Sequence, residues 1–184
     1  MGNLATIRNG VNVEELEAMR ARVEQEPAGA QFTFRSRVKW INRAHSQSAF
    51  GSVYGWGEEH ARPVPLFLEG DEPAVLLGTD LAPTPREAAL HALGACLSAT
   101  YAYAAAAMGI DIASLGFDLE TDADLRGFFE TDPSVGPGLS QIRIKVNLAC
   151  SGTPEEVEEL HARAARTSPL LDAFRNPVDV RIET

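Results

Sequence analysis

The stretch Pro83-Thr84-Pro85-Arg86-Glu87-Ala88-Ala89-Leu90-His91-Ala92-Leu93-Gly94-Ala95-Cys96-Leu97-Ser98-Ala99-Thr100-Tyr101-Ala102-Tyr103-Ala104-Ala105-Ala106-Ala107-Met108-Gly109 decides the fold. Thr84 stands where a helix cap would, and Pro85 suits the first helical position, where its missing N–H would be unpaired anyway. Gly109 suits the stop, because a helix often ends on a left-handed residue. Small apolar residues run round the whole circumference rather than along one stripe, which predicts a helix buried on most sides. The run approaches the ~20 residues a bilayer needs. Against a membrane span, His91, Thr100, Tyr101 and Tyr103 interrupt it, no basic flank orients it, and strand patterns surround it.

Upstream, Asn12 followed by Val13-Glu14-Glu15 is a capping-box pattern. Leu16, Met19 and Val23 then recur at helical spacing until Pro27-Ala28-Gly29. From Gln31 the period changes to two. Phe32, Phe34, Val38 and Trp40 form one expected strand and Ser48–Trp56 a second, joined by the polar turn Asn42–Gln47. Val64–Leu68 and Ala74–Leu77 read as further short strands around the turn Glu69-Gly70-Asp71-Glu72-Pro73.

Downstream, Ile112–Leu125 alternates weakly, and Gly127–Gly138 is a loop. Leu139–Ala149 then puts Ile142, Ile144, Val146 and Leu148 on one face. Thr153-Pro154-Glu155-Glu156 opens another helix with cap, first-turn proline and capping box, carrying Val157, Leu160 and Ala164 to about Arg166. Ser168-Pro169 breaks it, a short helical turn runs through Phe174, and Val178–Ile182 is expected to close the chain as a strand. Strands and helices are segregated, which indicates α+β rather than a doubly wound sheet. A helix apolar all round needs cover on all sides and one sheet covers only one, so a second sheet or a partner subunit must supply the rest.

A formal net charge of −10 without any basic block argues against nucleic acid, whose phosphates need clustered Lys and Arg. No apolar signal segment stands at Met1–Gly10, and the expected location is cytoplasmic. Cys96 and Cys150 read as free thiols rather than as a secreted scaffold. His45, His60, His91 and His161 are scattered, so neither a zinc site nor a cofactor is expected.

Gly78-Thr79-Asp80, Pro83-Thr84-Pro85, Glu87, Leu90 and Ala92-Leu93-Gly94-Ala95-Cys96-Leu97 together are similar to the helix-start motif of the OsmC/Ohr family (osmotically induced protein C and organic hydroperoxide resistance proteins). Leu160-His161-Ala162-Arg163-Ala164-Ala165-Arg166-Thr167-Ser168-Pro169, with Asn176-Pro177-Val178 behind it, resembles that family's second helix and closing strand. The likeness runs from about Phe32 to Glu183. It divides the chain into an N-terminal helical extension (1–30) and an OsmC-like domain (31–184). It implies a β-meander with a long buried central helix in an intertwined homodimer.

For function the resemblance implies a thiol-dependent hydroperoxide reductase. Cys96 matches the peroxide-attacking cysteine, and Ser168 stands where the family has its resolving cysteine. Arg43 is the expected activating arginine. Glu87 is the expected activating carboxylate, one residue beyond the family's position, which holds Arg86. A nearby cation favours a thiolate and apolar burial disfavours it. Without a resolving thiol, a sulfenic acid must be reduced by another molecule. The implied partners are a small organic hydroperoxide and an external thiol reductant. The same fold also admits a binding module for a small apolar ligand, with Cys96 only lining the pocket, or a stress-response protein without a site. His91, five residues before Cys96, lies about 140° round the helix and reads as structural. Tyr101 and Tyr103 read as core or pocket lining, Glu87 also suits a helix N-terminus, and Glu155, Glu156, Glu158 and Glu159 form a solvated face.

Overall fold

The computed structural model describes residues 5–184. In chain order it has β1 (Ile7–Arg8), β2 (Val11–Asn12), α1 (Val13–Gln25), β3 (Arg37–Asn42), β4 (His45–Phe50), β5 (Val53–Gly55), β6 (Glu58–His60) and β7 (Leu66–Gly70). A 3-10 turn (Ala74–Leu76) precedes α2 (Pro85–Met108), β8 (Ile112–Ala123), α3 (Leu125–Phe128), β9 (Leu139–Cys150), α4 (Pro154–Thr167) and α5 (Pro169–Arg175). The chain forms two compact units. One comprises the segment up to Val13 with Leu90–Thr184, the other Glu14–Ala89.

The first unit is built on α2. Its cap is a full capping box: Thr84 Oγ1 accepts from Glu87 N at 3.1 Å, and Glu87 Oε2 accepts from Thr84 N at 2.7 Å. Gly109, at φ 78°, ends it. β8 and β9 form one antiparallel ladder in which Leu115, Phe117 and Leu119 pair with Leu148, Val146 and Ile144. Paired residues share a face, so these six side chains present one apolar surface, and they pack against Leu93, Leu97, Tyr101, Ala104 and Ala105 of α2 with Leu160 and Ala164 of α4. Leu93 and Leu160 have no accessible surface, and such burial stabilises by about 2–3 kcal/mol each. α4 begins as expected, with Thr153 as cap, Pro154 in the first turn and Glu156 closing the box. The Asn9-Gly10 turn, with both residues at positive φ, makes the β1–β2 hairpin. Asn9 then bridges Ile110 O and Ile112 N at 2.9 and 2.8 Å, and Arg8 pairs with Asp111.

The second unit holds a three-stranded sheet of order β3-β4-β7 and the β5–β6 hairpin. Phe32 lies so close over Gly55 that any side chain there would collide with its ring, and Trp56 meets Phe32 edge-on while Arg22 covers Trp56 at 3.8 Å. Cross-strand pairing puts Val38, Trp40, Phe50, Leu66 and Leu68 on one sheet face. Much of that face is open to solvent, Val38 being 63% and Trp40 67% exposed.

Several expectations differ from the structure. The first strand begins at Arg37 rather than Phe32, and the turn tightens to Arg43-Ala44 because Arg43 adopts φ 49°. The expected Ser48–Trp56 strand breaks at Gly51-Ser52, and its second half joins another hairpin. Ala74–Leu76 is a 3-10 turn, not a strand, because Asp71 organises the loop. Its carboxylate accepts from Glu72 N, Thr79 N, Thr79 Oγ1 and Leu81 N. Val178–Ile182 forms no strand. It lacks a paired neighbour, and Val178, Val180 and Ile182 are 62%, 78% and 90% exposed. As far as Tyr103, α2 is buried along one side only, with His91, Ala95, Ser98, Ala99 and Tyr103 exposed, and beyond it Ala104, Ala105 and Ala106 are buried in succession. Among the described residues no helix is long and apolar enough to cross a membrane.

Asp71 generates a pH prediction. The Thr79 hydroxyl, helped by the backbone donors and opposed by burial, holds its carboxyl down at about 2. A depressed native value means that the stabilisation is complete above the ordinary carboxylate value and is lost as pH falls from there through the native value. Denaturant midpoints measured between about pH 4 and pH 2 are expected to fall more steeply for the native chain than for Asp71→Asn, which has no proton to take up there.

Candidate functional site

Packing of α2 against α4 and α5 brings Cys96 to Ser168, with Sγ and Oγ 3.4 Å apart. Ser168 is held from both sides. Its backbone N donates to Ala164 O, ending α4, and its hydroxyl accepts from Leu171 N, starting α5 with Pro169 in the first turn. Only 1% of Ser168 is accessible, whereas Cys96 is partly open. A hydroxyl that accepts from Leu171 still has its proton and a lone pair for the sulfur. The contact therefore serves a thiol in either direction, and a thiolate only with Ser168 as donor.

Further along the same interface the Tyr101 hydroxyl lies 2.8 Å from His161 Nδ1. Burial pushes the Tyr101 phenol up, so it keeps its proton and is assigned as donor to Nδ1. Phe117 meets the same ring edge-on at 5.5 Å. His161 was not among the expected site residues, although Val157, Leu160, His161 and Ala164 follow the i, i+3, i+4, i+7 spacing of a helix face turned to the core. That spacing is the signal that marks it.

The other residues singled out in the sequence have these positions. Glu87 engages Thr84 at the start of α2, and Arg86 pairs with Glu72 at 2.9 Å. Arg43 occupies the tip of the β3–β4 hairpin, where its carbonyl accepts from Trp40 Nε1, and its side chain makes no bond among the described residues. His91 is exposed. Cys150 ends β9 opposite Ile112 and packs against the core. A side chain at Gly94, two residues before Cys96, would touch Leu119. Ile112, the partner of Cys150, is therefore about 23 Å back along β8 at ~3.3 Å per residue. A disulfide needs Cα atoms within about 7 Å, so Cys96 and Cys150 cannot pair within the chain. Among the described residues no cluster of His, Cys, Asp and Glu could hold a metal ion.

A long helix walled by a two-stranded ladder and a capped second helix defines an α+β protein of the OsmC-like fold. The family model described as OsmC-like protein matches residues 78–183, and the chain belongs to that family. Among solved structures it is similar to an OsmC-like protein from Mycoplasma pneumoniae, with TM-score 0.59 and 16% identity over 79% of this chain and 89% of that one. It is also similar to a putative osmotic stress induced and detoxification response protein from Psychrobacter arcticus, with TM-score 0.58 and 16% identity over 77% and 88%. A third is an organic hydroperoxide resistance protein OsmC from Legionella pneumophila, with TM-score 0.50 and 21% identity over 83% and 96%. At such identities the likeness is one of fold. No curated protein matches the chain.

The buried Tyr101–His161 pair generates a stability prediction. Tyr101→Phe keeps the ring but leaves His161 Nδ1 without its partner. It is expected to cost about 1–3 kcal/mol, read as a lower urea midpoint with an unchanged slope. Tyr103→Phe on the exposed face should leave the midpoint in place.

Proposed function

We propose that this protein is a one-cysteine organic hydroperoxide reductase, in which Cys96 attacks the peroxide and an external thiol restores it. The observation that carries the reading is the 3.4 Å contact between Cys96 Sγ and Ser168 Oγ, because Ser168 occupies the position that the resemblance assigns to a resolving cysteine. The Cys96 thiolate attacks the distal peroxide oxygen and the O–O bond breaks. The alkoxide takes a proton to leave as an alcohol, and Cys96 becomes a sulfenic acid. Ser168 cannot form a disulfide, and Cys150 is out of reach. An external thiol therefore condenses with the sulfenic acid, releasing water, and a second thiol frees Cys96 as the external disulfide departs. The cycle consumes a hydroperoxide and two thiols. A small-thiol reductant fits a reducing compartment, hence a cytoplasmic location.

Within this reading Arg43 is the activating guanidinium. Its support is the resemblance together with a side chain free of bonds among the described residues. Glu87 is assigned to holding the helix start, since its carboxylate is engaged by Thr84. The molecule is an intertwined homodimer. The support is the uncovered apolar face of Val38, Trp40, Leu66 and Leu68 and the uncovered side of α2, since contiguous exposed apolar surface of that kind marks an interaction site.

With tert-butyl hydroperoxide and dithiothreitol, Cys96→Ser is expected to reduce turnover by ~10²-fold or more, while Cys150→Ser keeps most of the rate. After peroxide treatment without thiol, the native chain should gain oxygen on Cys96 by mass spectrometry. Ser168→Cys should instead lose two hydrogens as an intramolecular disulfide. Turnover that survives in Cys96→Ser would move the chemistry elsewhere, and no turnover at any thiol concentration would leave ligand binding as the function. Sedimentation at micromolar concentration is expected to give twice the chain mass. A stable folded monomer would refute the homodimer.

A further inference from the structure

The unit that carries Cys96 also has a half-open groove of about 490 Å³ between the start of β9 and α5. Its apolar lining includes Leu93 of α2, Ile142 and Ile144 of β9, and Leu171 and Phe174 of α5. That volume falls within the ~300–1,000 Å³ of small-molecule sites, which are mostly apolar with a few polar groups that fix orientation. The oxygens of the polar side chains on its β9 wall are engaged, while Gln141 Nε2 donates to no group among the described residues. Ser140 Oγ donates to Asp122 O at 3.2 Å, and Gln141 Oε1 accepts from Arg143 at 3.0 Å. Arg175, the last residue of α5, also lines the groove and makes no hydrogen bond or ion pair among the described residues. Asp172, one turn earlier, accepts from Asn176 Nδ2 at 2.8 Å instead.

A groove with an aliphatic side, a polar side and one guanidinium outside any ion pair among the described residues selects a ligand that has a hydrocarbon part and a single planar anion. The tail removes the aliphatic side from water, and a carboxylate matches the guanidinium fork through two parallel hydrogen bonds. We propose that the groove binds an aliphatic monocarboxylate, its tail on Ile142, Ile144 and Leu171 and its carboxylate on Arg175. The groove borders the thiol. Leu93 precedes Cys96 by three residues on α2, and Leu171 is the residue whose backbone N donates to Ser168 Oγ. The tail of an occupant thus lies beside the Cys96–Ser168 contact. Binding requires no reaction at the thiol, so it stands independently of the peroxidase reading.

The test is titration of the full-length, reduced protein with octanoate and with 1-octanol, without peroxide, followed by calorimetry and by methyl NMR. Octanoate is expected to shift the methyls of Ile142, Ile144 and Leu171. Arg175→Gln should weaken octanoate tenfold or more and leave 1-octanol unchanged, while Arg175→Lys gives an intermediate loss. Equal octanoate affinity in the native chain and Arg175→Gln would overturn the proposal, as would equal losses for acid and alcohol. Methyls that ignore both ligands would also overturn it. That includes the case in which dilution of the protein alone shifts them, which would show a second copy in the groove. Failure here leaves the turnover experiments with Cys96→Ser untouched, and failure there leaves this result untouched.

Discussion

The fold depends on one constraint: α2 has a continuous apolar side that must be walled off from water. The β8–β9 ladder and α4 supply that wall along the line Leu93, Leu97, Tyr101, Ala104 and Ala105. Antiparallel packing of α2 on α4 then fixes which residues meet. Cys96 falls opposite Ser168, and five residues later Tyr101 falls opposite His161, seven residues before Ser168. Both polar contacts are consequences of apolar packing, and neither would form without the buried leucines and alanines between them.

Ser168 serves two helices and the Cys96 thiol at once. The junction between α4 and α5 needs a residue whose backbone ends one helix and whose side chain begins the next, and serine is among the preferred caps. A hydroxyl there satisfies Leu171 N and still faces sulfur at 3.4 Å. The site is a thiol with a fixed, buried hydrogen-bonding neighbour and no second cysteine within reach. That combination, rather than the cysteine alone, shapes the chemistry open to the site.

The surface left uncovered follows from the same constraint. One ladder and one helix cannot surround α2, and the side with Ala95, Ser98 and Ala99 stays open. The β3-β4-β7 sheet likewise keeps an apolar face toward solvent. The terminal segment repeats the pattern, with Val178, Val180 and Ile182 exposed at every second position and no strand formed. Each has the composition of an interior without the cover of one.

Local chemistry is legible in the order of the residues. The caps at Thr153 and Thr84, the prolines that follow them and the stop at Gly109 act over a few residues, and the helices they bound lie where expected. The long alternation of β8 and β9 is legible for the same reason, since each residue's face depends only on its parity. The Asn9-Gly10 hairpin and the reciprocal bond from Glu87 to Thr84 rest on equally local signals, although neither was expected. Other features have no local signal. Ala74–Leu76 is a 3-10 turn because of bonds to Asp71 from residues up to ten positions away, and Val178–Ile182 lacks a ladder because a strand is defined by its partner. The sequence by itself determined that a cysteine stands on a buried helix and that position 168 offers no thiol. Only the tertiary structure decided that Ser168 touches that cysteine, that Tyr101 meets His161 and that Arg175 borders a groove with Ile142, Ile144 and Leu171. Each of these joins side chains far apart in sequence, and their meeting is set by packing between elements, which no local pattern encodes.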